Sequence, residues 1–253
     1  MMNSPRLFSP LLAGRQSLRV ILGFGLGACS QLMGATYLID FGSSNLTTGT
    51  DGSGNVWNNL TPDTTDGAGD VALVDTTGSG AEGLNMNYLY PVATPGSNFE
   101  MNSNENGLSG PFSNLGLLDV SSAFGDTLWS NGSGQTPSLT FENLDANTLY
   151  TFTLFAYRAQ SGRTTDFRLT GLAVDQENGY RVDTSNTGNG VIVTLSGRAD
   201  AANELLLELL PGTGDYAYIG ALQIETSPIP EPTGAALLSL GAISLLLGSR
   251  KRR

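Results

Sequence analysis

Apolar residues recur along this chain in short runs, often at every second position, and clusters of Gly, Asn, Ser, Thr and Asp separate the runs. A period of two puts successive side chains on opposite faces of a strand, so the pattern predicts many short strands and little helix. The clearest strand is Thr148–Tyr157, with Tyr150, Phe152, Leu154 and Ala156 on one face and Thr151 and Thr153 on the other. Further strands are predicted over Thr36–Phe41, Asn55–Asn58, Val71–Asp75, Ser138–Phe141, Phe167–Thr170, Gly190–Ser196, Glu204–Leu210 and Tyr216–Glu225. Leu205–Leu210 is apolar apart from Glu208, which suits a buried strand or a short helix; its length and strand-rich setting favour the strand. Asp51-Gly-Ser-Gly-Asn55 reads as a tight hairpin turn between two strands. Its Asp-x-Ser-x-Asn spacing also opens calcium loops, but the twelfth position, where a bidentate acid is needed, is Pro62. Asn85–Asn114 is rich in Asn, Ser and Gly, carries Met86, Tyr88, Tyr90 and Phe99, and reads as a long surface loop region. The pattern as a whole predicts an all-β fold, an antiparallel two-sheet sandwich that is jelly-roll-like, with no internal repeat and no second domain.

The two ends break this pattern. Arg6, Arg15 and Arg19 lead into the apolar stretch Val20–Ala28 and then into small residues ending at Gly34-Ala35. Basic, apolar and small in that order describe a secretory signal peptide over 1–35, removed by signal peptidase between Ala35 and Thr36, or one residue earlier. Leu26-Gly-Ala-Cys29 also fits a lipoprotein box, in which Cys29 would carry lipid. The last segment, 227–253, joins Pro230, Glu231 and Pro232 to an apolar run over 234–248 and a basic end of Arg250, Lys251, Arg252 and Arg253. The prolines cannot continue a helix, the run can enter a bilayer as a short helix, and the cations stay on the cytoplasmic side. Fifteen helical residues reach roughly 22 Å, short of a hydrocarbon core of about 30 Å. Such a length suits a processed signal better than a permanent span.

Charge and composition narrow the chemistry of the body, 36–226. From Thr36 to Ile229 the chain has five arginines against 22 acidic residues, a net charge of −17. Such a surface repels phosphate backbones and excludes nucleic acid as a partner. The chain has no histidine, and the body has neither lysine nor cysteine. These absences remove Ser-His-Asp and Cys-His catalysis, imidazole metal sites and Schiff-base chemistry. A carboxylate pair of the glycosidase kind is what remains for an enzyme, and the acidic residues are too numerous to single one out. No catalytic residue, metal site or cofactor is therefore predicted.

The tripartite tail resembles the PEP-CTERM sorting signal of bacterial surface proteins. That resemblance implies recognition by an exosortase, a membrane cysteine transpeptidase acting near the Pro-Glu-Pro element, and an association with exopolysaccharide. A second resemblance is spread over residues 37–224: Tyr37-Leu-Ile-Asp-Phe-Gly42, Gly54-Asn-Val-Trp-Asn-Asn59, Asp126-Thr-Leu-Trp129, Leu144–Arg158 and Tyr218-Ile-Gly-Ala-Leu-Gln-Ile224. These pieces look like bacterial secreted galactose-binding-like β-sandwich modules, and none of them carries a catalytic motif. Within them Asp40, Trp57, Trp129 and Arg158 stand out. Trp57 and Trp129 are read as core residues, and Arg158 as the partner of a carboxylate such as Asp166. The expected function is that of an exported, non-enzymatic surface or matrix protein. It is held to the envelope membrane by its C-terminal helix or released after processing, and is structural or adhesive beside polysaccharide. The alternative is a carbohydrate-binding module with its own glycan specificity, and a carboxylate-dependent glycoside hydrolase stands last.

Overall fold

The computed structural model describes residues 34–42, 47–60, 71–80, 84–89, 99–103, 114–123, 125–131, 138–157, 162–175, 179–183 and 191–229. Cys29, Arg158, Pro230, Glu231, Pro232, the 234–248 run and Arg250–Arg253 lie outside them. Among the described residues no helix is long and apolar enough to cross a membrane.

The body is all-β. One sheet has the order β11-β8-β14-β1-β2, built from β1 (Thr36–Phe41), β2 (Asn58–Leu60), β8 (Thr148–Ala156), β11 (Val191–Gly197) and β14 (Ala221–Pro228). A second has the order β10-β9-β12-β7-β4-β3, from β3 (Val71–Ala72), β4 (Asn85–Leu89), β7 (Ser138–Glu142), β9 (Thr164–Thr170), β10 (Tyr180–Asp183) and β12 (Leu205–Pro211). A third, small sheet joins β13 (Tyr216–Ile219), β6 (Asp126–Asn131) and β5 (Phe99–Ser103) in that order.

The strand pattern read from the sequence holds for the longest elements and is corrected at several others. Tyr150, Phe152, Leu154 and Ala156 all enter one buried cluster, as the period of two requires. Leu205, Leu207 and Leu209 are buried while Leu206 and Leu210 are half-buried, so the apolar run is a strand. Tyr216–Glu225 is not one strand. Gly220, which donates to the Phe155 carbonyl and accepts from Phe41 N, separates β13 in the small sheet from β14 in the large one. The region read as a long loop contains β4 and β5. The ladders are antiparallel except for β1 and β2, which pair in parallel.

Two apolar layers result. The main core joins Ile39, Phe152, Leu154, Leu222 and Ile224 of the first sheet to Leu139, Phe141, Phe167, Leu169 and Leu207 of the second. Phe141 and Phe152 meet across the gap with ring centroids 5.0 Å apart. On the outer face of the first sheet Leu38, Phe155, Tyr157 and Ala221 form a smaller core with Trp57, Leu115, Leu118 and Ala123. Trp57 is a core residue as expected.

Among the described residues one turn design appears three times, at Asp51–Asn55, Asp75–Ser79 and Asp200–Glu204. In each, the Asp carboxylate accepts from backbone N–H groups two and four residues on. The Asp N–H also donates to the carbonyl four residues on. The fourth residue is left-handed, at φ 87° for Gly54, 79° for Gly78 and 63° for Asn203, which favours Gly or Asn there. The first turn joins an isolated bridge, Thr50 to Val56, rather than two strands. Its Asp51 also receives Trp57 Nε1 at 3.0 Å and Asn55 Nδ2 at 3.0 Å. Both carboxylate oxygens are taken up by donors of the loop itself.

Burial works to raise the Asp51 pKa, but the bonds from Trp57, Asn55 and Ser53 outweigh it and hold the carboxyl below its ordinary value. A depressed carboxyl stabilises the fold above its unfolded pKa, about 4, and that contribution is lost as pH falls through the lower folded value. Asp51→Ala strands the buried Trp57 N–H and should cost about 1–3 kcal/mol near neutral pH. In urea melts the gap between wild type and variant should close on acidification, and a pH-independent gap would contradict this role.

Candidate functional site

Among the aromatic side chains whose surroundings are described, all are buried except two, Trp129 and Tyr216. These two touch, with ring centroids 5.5 Å apart and planes inclined at 46°. Their position follows from strand alternation. Trp129 of β6 lies directly across from Tyr218 of β13, and Tyr216 is two residues before Tyr218. All three therefore share one face, while Leu128, Ala217 and Ile219 enter the main core from the other. Tyr218 is buried beside Tyr216, their rings 6.2 Å apart and nearly parallel at 20°.

The face is braced by its surroundings. The guanidinium carbon of Arg163 lies 3.6 Å from the Tyr216 ring centroid, a cation–π geometry. Arg163 Nη1 donates to the Gly214 carbonyl at 2.9 Å. The two loops that meet here are tied through Thr164: its N–H donates to the Thr213 carbonyl, its carbonyl accepts from Gly212 N, and its hydroxyl accepts from Thr213 N. Tyr218 N donates to the buried Thr165 hydroxyl at 2.9 Å, which fixes the small sheet to the second large one. The indole Nε1 of Trp129 is buried and has no hydrogen-bond partner, although the residue as a whole is half-buried. A half-buried tryptophan and a neighbouring tyrosine on one strand pair, with an arginine beside them, make a surface suited to the apolar face and hydroxyl rim of a sugar ring.

This site and the chain exits lie at opposite ends of the body. At the site end, Thr165 of β9 holds Tyr218. Seven residues on, roughly 23 Å along a strand, Leu172 bridges Arg198, next to Gly197, which pairs with Tyr150. Thr148, at the start of that strand, pairs with Pro228. Thr36, at the start of β1, pairs with Glu225 of β14 beside it.

The residues singled out from the sequence fall apart spatially. Trp57 is core, whereas Trp129, read as core, is only half-buried and forms the site. Asp40 is buried in β1 and accepts from Thr47 N at 2.8 Å. Arg158 lies outside the described residues; Asp166, the carboxylate suggested for it, is bonded by Arg181, whose Nε and Nη2 both donate to it at 2.6 Å. Arg168 pairs with Glu208 in the same sheet. Ala35 and Thr36 stand at the entry to β1. Sequence reading missed Tyr216, Tyr218 and Arg163. The available signal was Tyr216-Ala-Tyr218, two large aromatics on one face of a strand. Among the described residues no group of three or more His, Cys, Asp or Glu is placed to hold a metal ion.

No family model and no curated protein matches the chain. Solved structures with a similar course include protein YxiM from Bacillus subtilis, at 15% identity and a TM-score of 0.41, covering 76% of this chain and 40% of that one. The chain thus spans 40% of that protein's length. The family 35 carbohydrate-binding module from Cellvibrio japonicus Abf62 is 11% identical, with a TM-score of 0.28 over 52% of this chain and 89% of that one. The family 32 module of C. perfringens NanJ, solved with galactose, is 16% identical, with a TM-score of 0.26 over 52% and 93%. At these scores the likenesses carry no functional argument, which rests on the site itself.

The chain has two tryptophans, of which Trp57 is buried and Trp129 half-buried. Acrylamide, a neutral quencher indifferent to the negative surface, should quench Trp57→Phe protein, which keeps Trp129, more strongly than Trp129→Phe protein, which keeps Trp57. Equal quenching constants would contradict the half-exposed position of Trp129.

Proposed function

We propose that this protein is an exported, non-catalytic carbohydrate-binding sandwich that serves an adhesive role beside polysaccharide at the cell envelope. The observation that carries this reading is the Trp129–Tyr216 pair, the solvent-reaching aromatics of the described surface, braced by Arg163. Aromatic side chains exposed on rigid strands have a hydrophobic cost in water, and stacking on the C–H face of a pyranose recovers it. Arg163 and the rim of Thr213, Gly214 and Asp215 offer donors and acceptors to ring hydroxyls. Several carboxylates serve turns and ion pairs: Asp51, Asp75 and Asp200 hold loops, and Asp166 and Glu208 hold arginines.

The order of the chain supports the setting. A leader over 1–35 directs export, and the Pro230-Glu231-Pro232 element with its apolar run and basic end delivers the body to an exosortase-type transpeptidase in the membrane. Because Thr36 and Pro228 leave the body at one end and the aromatic pair lies at the other, a tethered body presents the pair outward.

Affinity electrophoresis of the full chain in mild detergent, through gels cast with neutral and acidic polysaccharides, tests the reading. Retardation should occur on at least one polysaccharide. Trp129→Ala and Tyr216→Ala should each weaken it about tenfold, the scale of an aromatic hot spot. Unretarded migration across the whole panel would leave a structural surface protein without a sugar site.

A further inference from the structure

The expected leader cut falls where the first and last strands of the body meet. Ala35 N donates to the Thr226 hydroxyl at 2.7 Å, and Thr226 N donates to the Ala35 carbonyl at 2.9 Å. The next pair along, Thr36 with Glu225, begins the β1–β14 ladder. On the other side Gly34 runs so close that a Cβ there would overlap the Thr226 carbonyl. The peptide bonds on both sides of Ala35 are therefore lodged against β14 in the closed sheet. A peptidase needs the same groups: it takes its substrate as an extended strand, through the backbone N–H and C=O groups around the scissile bond.

We propose that leader removal and closure of the sandwich compete for these residues, so that the cut at Ala35 precedes docking of β14, with Thr226 as the latch. This rests on the reading that the leader ends at Ala35 or Gly34. Hydrolysis adds water across the Ala35–Thr36 amide. The Ala35 carbonyl carbon takes the hydroxyl and departs as a carboxylate on the leader, and the Thr36 nitrogen keeps the chain and becomes an ammonium. In the closed sheet that ammonium stands opposite Glu225, an exposed carboxylate. Thr226 then gives up its Ala35 partners to water at the open strand end. The order of the chain makes the sequence of events practicable. β14 is the last strand of the body, and 191 positions separate Ala35 from Thr226, so the cut site is free until nearly the whole chain has crossed. A precursor that folds first hides the bond, because cleavage then waits on local opening of the strand pair.

The test uses the full-length precursor in detergent with purified signal peptidase, folded and in increasing urea, with product masses read at each point. Folded precursor should be cut at least about tenfold more slowly than precursor whose sheet has opened, with the rate following the unfolded fraction. Thr226→Val keeps the shape and the Thr226 N–H bond but loses the hydroxyl that receives Ala35 N. Its folded precursor should be cut faster than wild type at an unchanged melting temperature. Equal rates for folded and opened precursor, with a product beginning at Thr36 or Ala35, would overturn the latch while leaving the cut site intact. A product beginning elsewhere in both states would overturn the cut site and the latch with it.

Discussion

β14 lies between β1 and β8 in the five-stranded sheet, and its eight residues tie the first strand of the body to its longest one. On its inner face Leu222 and Ile224 sit in the main core; on its outer face Ala221 enters the smaller core around Trp57. Both apolar layers are thus completed by residues that come last in the chain. Pairings this distant in sequence gain no contact energy until a large loop has closed, so the sandwich is a fold of non-local contacts. The three aspartate-held turns act against that cost. Each fixes five residues locally, through side-chain bonds that form without the rest of the sheet.

The same strand organises the two ends of the body. At its start Gly220 changes sheets and hands the chain over from β13, which carries Tyr216 and Tyr218. Toward its finish it runs beside Thr36, so that the entering and leaving chains share one end of the sheet. Tyr216 and Tyr218 of the aromatic face and the exit at Pro228 thus lie on one continuous segment, and their separation follows from strand length.

The legible part of the fold was the part governed by alternation. Tyr150, Phe152, Leu154 and Ala156 identified the central strand because one face is uniformly apolar, and Leu205–Leu210 resolved as a strand by its length. What alternation did not reveal was position within a sheet. Gly220 lies within an uninterrupted strand pattern, and only the pairing of its two sides with different partners shows the break. Strands β4 and β5 were hidden by Asn, Ser and Gly, residues of low strand propensity, and are held by neighbours distant in sequence. The site was less legible still. Trp57 and Trp129 look alike in the sequence, each near polar residues within a short apolar piece. Trp57 is covered by Leu115, Leu118 and Ala123, whereas Trp129 sits in a small sheet whose outer face is only partly covered. Arg163 could not be connected to Tyr216 because the two meet through loops 53 residues apart in the chain, joined by bonds at Thr164.

A sugar bound at the Trp129–Tyr216 face, as proposed, would touch one of the two indoles and not the other. The two indole N–H groups provide separate reporters, one bonded to Asp51 in the outer core and one buried without a hydrogen-bond partner beside Tyr216. Titration of the ¹⁵N-labelled protein with oligosaccharides from the polysaccharide that retards it is the most direct test. The Trp129 indole resonance should move with ligand concentration while that of Trp57 stays in place. A saturating ligand that leaves the Trp129 resonance unmoved would place the sugar elsewhere on the protein.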